Sequence, residues 1–298
     1  MATYEFETVD VFTDRRFGGN PLAVFPDATG MDDPLMQSLA AELNLSETTF
    51  VLPPRDPANT RRVRIFNRTA EMSFAGHPML GTAYVLARRG LTSDRPMALE
   101  VLAGLVKAEV VLDARRLPCG GAVEAPQPLA LGGEVPVADV AACLGLQAGD
   151  VLTASHRPVV GSMGNSYVFA ELAPGALARC EPDVAAFRRA RAARGGSESR
   201  FSLHVYSRDA GRIRARMFAP LAGTWEDPAT GSANAPLAAL LLSLDGGDRL
   251  RVEVEQGVEM GRPSLLTVEA RRTEDGIRAI LSGSCVPVFV GSFVDHLG

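Results

Sequence analysis

The stretch "EMSFAGHPMLGTAYVLA" (71–87) decides how this chain is read. It sets a glycine, a histidine and a proline directly before a run that is apolar nearly all round. Met79, Leu80, Ala83, Tyr84, Leu86 and Ala87 leave little polar face before Arg88. Such a helix has to be enclosed by other structure. A second stretch, "WEDPATGSANAPLAALLLSLDGG" (225–247), follows the same plan with a still more apolar helix after Gly231. In each, an acidic residue, Glu71 or Glu226, stands five positions before the glycine, Gly76 or Gly231.

The resemblance extends outward from both helices. "RVRIF" (62–66) and "RIRARMF" (212–218) are alternating strands that lead into the two turns. "GGNPLAVF" (18–25) is matched by "MGNSYVFA" (163–170), a Gly-Asn turn entering a strand. "LEVLAGLVKAEV" (99–110) is matched by "VEVEQGVEMGRP" (252–263), strands broken at Gly104 and Gly257. The spacings agree: 28 residues from Gly76 to Gly104, and 26 from Gly231 to Gly257. Four matches in one order predict a duplicated α+β design. Each half is a curved, mixed β-sheet around one central helix. The halves are 1–118 and 119–280, and the tail strand "RAILSGSCVPVFVGSF" (278–293) is expected to cross back, so that 281–298 completes the first half. Amphipathic helices are predicted at 32–44, 136–145 and 182–196.

Composition narrows the function. Of the 298 residues, 46% are hydrophobic and the net charge is −5, which suits a folded chain with large cores and gives no reason to expect nucleic acid as a partner. The arginines of "FRRARAARGG" (187–196) read as a solvated helix end. No window of about 18 uncharged apolar residues occurs, so no membrane partner is expected. The start lacks the layout of a signal peptide, and Cys119, Cys143, Cys180 and Cys285 are scattered without a CxxC pair. They read as reduced thiols of a cytoplasmic protein. With four histidines and no HExxH, a metal site is not expected.

The chemistry is expected at the two glycine turns. A helix N-terminus carries unpaired N–H groups and partial positive charge, and binds a carboxylate without a basic side chain. Gly76 and Gly231 would let a ligand approach, and two related helix ends can face one cleft between domains. The polar groups differ between the turns. The first offers His77, to relay a proton or bind a carboxylate, or to make a local backbone bond. The second offers Glu226, Asp227, Thr230 and Ser232; Asp227 and Ser232 are also natural caps. A third stretch, "LNLSETTFVLPP" (43–54), places Glu47 at the mouth of an apolar strand. Glu47 is either a solvated turn residue or a carboxylate whose desolvation lets it exchange protons with carbon.

At these residues the chain resembles the PhzF-like, or phenazine-biosynthesis-like, proteins of the diaminopimelate epimerase-like fold. The matching motifs are "DVFTDRRFGGNPLAVF", "NLSETTFVLPP", "FAGHPMLGTA", "EDPATGSANAPLA" and "QGVEMGRPS", spread over almost the whole chain. The resemblance implies two similar domains with a cleft between them, a homodimer and no cofactor. It implies that Glu47 moves a proton between carbons of a cyclic diene acid, with His77, Asp227 and Ser232 as substrate-binding and proton-relay groups. Asn20 adds a hydrogen bond. Related epimerases and racemases carry a cysteine before each glycine; here those positions are Ala75 and Thr230. The expected activity is therefore a cofactor-independent isomerase of a small carboxylic acid. The alternatives are a racemase or epimerase of an amino or imino acid that lacks the cysteine pair, and a catalytically silent binding or scaffold protein.

Overall fold

The fold is described from a computed structural model, covering residues 2–93, 96–194, 201–209 and 212–295. The expected helix end at Gly195–Gly196 and the last three residues of the tail lie outside the described residues. The chain forms two compact units, Met1–Pro126 with Leu281–Gly298, and Gln127–Ile280.

The first unit begins with β1 (Ala2–Val11), β2 (Asn20–Phe25), α1 (Asp33–Leu43), β3 (Glu47–Leu52), β4 (Arg61–Phe66) and β5 (Glu71–Met72). It continues with α2 (Gly76–Arg88), β6 (Met97–Val101), β7 (Gly104–Leu112) and β8 (Pro118–Glu124). Strand β1 pairs antiparallel with β2, β2 parallel with β3, β3 antiparallel with β4, and β4 parallel with β6. Strands β6, β7 and β8 follow as antiparallel neighbours. A parallel pair needs a crossover, and α1 and α2 are the crossovers of the two parallel pairs. The unit boundary falls after Pro126, beyond residue 118, because β8 is laddered to β7.

The second unit holds β9 (Ala130–Glu134), α3 (Val137–Cys143), β10 (Val151–Leu152), β11 (Val159–Ser162), β12 (Ser166–Leu172) and α4 (Val184–Ala193). Then come β13 (Leu203–Asp209), β14 (Arg212–Ala219), β15 (Thr224–Asp227), α5 (Gly231–Asp245), β16 (Arg249–Gln256), β17 (Ser264–Thr273) and β18 (Gly276–Asp295). Its pairing repeats the first unit's order of directions: β11–β12 antiparallel, β12–β13 parallel, β13–β14 antiparallel, β14–β16 parallel and β16–β17 antiparallel. The short β5 and β15 hang from β4 and β14 in the same way. Strand β18 runs on into the first unit and pairs with both β1 and β8. The first unit's sheet is thereby a closed ring of eight strands, which leaves no free edge.

The central helices are as buried as their composition demands. Every residue of α2 from Gly76 to Leu86 is buried. In α5 burial takes in Gly231 and the run from Ala233 to Leu242. Gly81 explains how closely α2 approaches the sheet: a Cβ there would lie 2.6 Å from Leu22 Cδ2 and 2.9 Å from Val11 Cγ2. Outside the ring, α1 packs on Phe25, Phe50 and Phe66, where the Phe25 and Phe50 rings stack at 4.9 Å. Asp32 caps α1 by accepting from Leu35 N–H at 2.9 Å, and Asn44 ends it in the left-handed region. Among the described residues no helix is long and apolar enough to cross a membrane.

Candidate active site

Each central helix starts from a turn held by an ion pair, and the two pairs are copies of one another. Arg64 on β4 donates to both carboxylate oxygens of Glu71, at 2.8 and 2.7 Å, and lies 5.0 Å from the Phe66 ring centre. Arg216 on β14 does the same to Glu226, at 2.7 and 2.8 Å, and lies 4.7 Å from Phe218. Glu71 and Glu226 are thus structural. Bidentate Arg–carboxylate geometry fixes direction as well as distance, so it aims the chain into the glycine turn.

In the first unit the turn delivers His77 to Glu47. The parallel β2–β3 register sets Glu47 beside Leu22, at the end of β3 where β2 begins with Asn20. His77 stands in the first turn of α2. Its Nε2 lies 3.3 Å from Oε2 of Glu47, without the alignment of a hydrogen bond. On the other side of the ring, Asn20 Nδ2 approaches His77 Nδ1 at 3.5 Å. With Nδ1 as acceptor, the proton sits on Nε2 and faces Glu47. Burial pushes the His77 pKa down to about 3, so the imidazole is neutral at ordinary pH. The structure therefore brings Asn20, Glu47, Gly76 and His77 together.

In the second unit Asp227, Thr230, Gly231 and Ser232 share one turn. The Thr230 hydroxyl donates to Asp227 Oδ2 at 2.5 Å. Thr230 occupies the N-cap of α5 but makes no side-chain cap bond, and neither does Ala75 at the N-cap of α2. At neither start does the N-cap residue's own side chain satisfy a helix N–H, and a helix N-terminus is a natural place for an anion. Ser232 is not a cap: its hydroxyl meets Tyr167 Oη at 2.7 Å. The turn is clamped from β16. Gly257 adopts φ +77, and a Cβ there would lie 2.6 Å from Pro228 O and 2.5 Å from Arg262 O. Gln256 beside it bonds to Thr230, Asn234 and the Asp227 carbonyl.

Three residues at this second turn escaped the sequence reading: Tyr167, Asn234 and Gln256. Each had a signal. Tyr167 stands two places after Asn165, where the first half has Leu22 two places after Asn20. Asn234 is a polar residue inside an apolar helix, and Gln256 directly precedes the strand-breaking glycine.

The units differ where chemistry is concerned. In the first, Leu22 pairs with Glu47. In the second, Val168 pairs with Leu203, so the matching position to Glu47 is Ser202, which is buried. A hydroxyl there cannot take the role of a carboxylate base at neutral pH. The thiols do not fill the gap. Cys143, Cys180 and Cys285 are buried, and burial pushes the Cys143 and Cys180 pKa values up to about 12. Cys119 lies on β8, outside both turns. Among the described residues no three His, Cys, Asp or Glu side chains gather as metal ligands.

A mixed sheet around a buried helix, built twice, with a glycine turn at the start of each helix, defines an α+β protein of the epimerase-like fold class. Within that class the chain belongs to the phenazine biosynthesis-like protein family, whose model matches residues 9–291. It is 37% identical over 278 residues to an uncharacterized isomerase of Mesorhizobium japonicum, covering 90% of this chain and 91% of the relative. It is 33% identical over 300 residues to the trans-2,3-dihydro-3-hydroxyanthranilate isomerase of Pseudomonas chlororaphis, covering 98% and 99%. Among solved structures, a PhzF-family protein of Bacillus anthracis superposes with a TM-score of 0.87 at 24% identity, covering 99% of this chain and 100% of that one. The family's members are isomerases.

Proposed function

We propose that this protein moves a proton between carbons of a small carboxylic acid, cyclic or open-chain, with Glu47 as the group that takes the proton and returns it. The observation that carries the reading is the one-sided pair: Glu47 Oε2 lies 3.3 Å from the buried His77 Nε2, and the matching position to Glu47 in the second unit is Ser202. One shuttle carboxylate suits a reaction that removes a proton and restores it elsewhere on the same face of the substrate.

His77 supports this chemistry by staying neutral. An imidazolium at this distance would hold Glu47 in its charged form and weaken it as a base. A neutral imidazole beside the carboxylate carries no such penalty. The N–H groups at the starts of α2 and α5, at Gly76 and Gly231, are the groups offered to the substrate carboxylate and to the charge that develops when the proton leaves. Asp227, Thr230 and Ser232 bind and orient the substrate, and Asn20 holds the His77 ring. The reaction uses no cofactor, and the protein works as a homodimer in the cytoplasm. The homodimer and the lack of a cofactor follow the family resemblance, and the cytoplasm follows the scattered, unpaired cysteines.

The trans-2,3-dihydro-3-hydroxyanthranilate named for the Pseudomonas relative is the first substrate to try. Glu47→Gln should lower its turnover about a thousandfold, within the usual range for removing a general acid or base. An unchanged kcat would sink the assignment. A second reading, an amino- or imino-acid racemase, draws on the presence of one carboxylate in each unit, Glu47 and Asp227. Loss of the optical rotation of proline, or a change in that of hydroxyproline, would favour it.

A further inference from the structure

Behind Asp227 runs a buried chain of hydrogen bonds whose direction can be read without ambiguity. Its members are His204, Asn234, Gln256, Thr230 and Asp227, none more than 7% exposed. Three backbone groups fix the orientation of every side chain in it, because an N–H only donates and a carbonyl only accepts. Thr230 N–H reaches Gln256 Oε1 at 3.2 Å, and Gln256 Nε2 reaches the Asp227 carbonyl at 2.8 Å, so the Gln256 amide has one allowed orientation. Asn234 Nδ2 reaches the Thr230 carbonyl at 3.0 Å and Gln256 Oε1 at 2.8 Å, which leaves Asn234 Oδ1 as an acceptor. His204 Nε2 lies 3.2 Å from that oxygen and must carry the proton. Gln256 Nε2 gives its second hydrogen to Thr230 Oγ1 at 3.1 Å, and Thr230 passes its own to Asp227 Oδ2 at 2.5 Å.

The donors all point one way, toward Asp227. Protonating Asp227 at Oδ2 would strip the Thr230 hydroxyl of its acceptor in a buried place, and a buried donor without a partner is costly. Resting on the isomerase reading, the geometry points to Gln256, backed by Asn234 and His204, as the positioning residue that holds Asp227 in the acceptor form and in one rotamer for the reaction. Gln256 itself touches no reacting atom; it acts through Thr230 and Asp227.

Two measurements test this. The first needs no substrate. Side-chain 15N NMR of the wild-type protein should show His204 as the Nε2–H tautomer, with Nδ1 bare, at neutral pH. A His204 carrying its proton on Nδ1 overturns the chain. The second uses Gln256→Glu, which keeps shape and replaces the donating amide by a carboxylate, with trans-2,3-dihydro-3-hydroxyanthranilate as probe. The variant should fold with circular dichroism like the wild type. It should lose at least about tenfold in kcat at neutral pH, and regain activity relative to wild type as pH falls and the introduced carboxyl group is protonated into a donor again. A merely structural role for Gln256 would not give a loss that acid reverses. Wild-type kcat at neutral pH, or a loss that acid does not relieve, overturns the positioning role. If the wild type turns over no acid while His204 shows the Nε2–H tautomer, the hydrogen-bond chain stands and the isomerase reading falls.

Discussion

His77 Nε2 faces Glu47 Oε2 at 3.3 Å inside the first unit, and the ring is neutral because burial lowers its pKa to about 3. This has a consequence for stability. In the unfolded chain a histidine titrates near 6.5. Between 6.5 and about 3 the unfolded state therefore binds a proton that the folded state refuses. Stability due to this site is fully present above pH 6.5 and is lost as pH falls toward 3. His204, lowered to about 4 chiefly by burial, acts in the same direction over a narrower window. Urea denaturation at pH 7 and pH 5 should show a loss of about 1–2 kcal/mol per histidine. In His77→Asn that loss should shrink by one histidine's share; an unchanged pH dependence would mean that His77 is not neutral in the fold.

The two ion pairs at the helix turns should not be equal in cost. Arg216 and Glu226 are 9% and 8% exposed, and Arg64 and Glu71 are 13% and 27%. Glu226→Ala leaves a buried guanidinium without its carboxylate, which costs about 3–5 kcal/mol. Glu71→Ala should cost less, since Arg64 keeps Asp33 as a second partner. Thermal or chemical denaturation of the two variants checks the order, and equal losses would contradict the burial argument.

Thiol chemistry should be dispensable. Both N-cap positions, Ala75 and Thr230, lack sulfur, and three of the four cysteines are buried. Treating native Cys119→Ser protein with iodoacetamide should leave turnover within about twofold of the untreated enzyme, a difference worth less than about 1 kcal/mol of barrier. Inactivation of this variant would reopen the cysteine mechanism.

Trp225, the chain's single tryptophan, is 56% exposed and two residues from Asp227. It is a built-in reporter for the second turn. Its fluorescence should change on titration with a substrate-like carboxylate, and the change should weaken in Asp227→Asn. A response identical in both proteins would place binding away from this turn.

The repeated strand-turn-helix plan was legible because it rests on local signals: two apolar helices, two glycines and an acid five places earlier. The arginine that each acid serves was not. Arg64 meets Glu71 only because β5 folds back on β4, a register that spacing alone does not reveal. Glu47 was identifiable as a candidate, but its approach to His77 depends on the parallel pairing of β2 with β3. Gln256 was hidden for a stronger reason. A lone glutamine before a glycine has no pattern, and its three partner residues lie on the second glycine turn and on α5. The role of Ser232 changed as well, from a natural cap to a partner of Tyr167.

On the proposed function, Glu47 carries a proton from one carbon to another. The direct test is turnover of trans-2,3-dihydro-3-hydroxyanthranilate in D2O, with the product's carbon-bound deuterium read by NMR. A carboxylate that exchanges with solvent should leave deuterium on a product carbon with the wild-type protein and none with Glu47→Gln. Deuterium incorporation by Glu47→Gln at the wild-type rate would contradict the account.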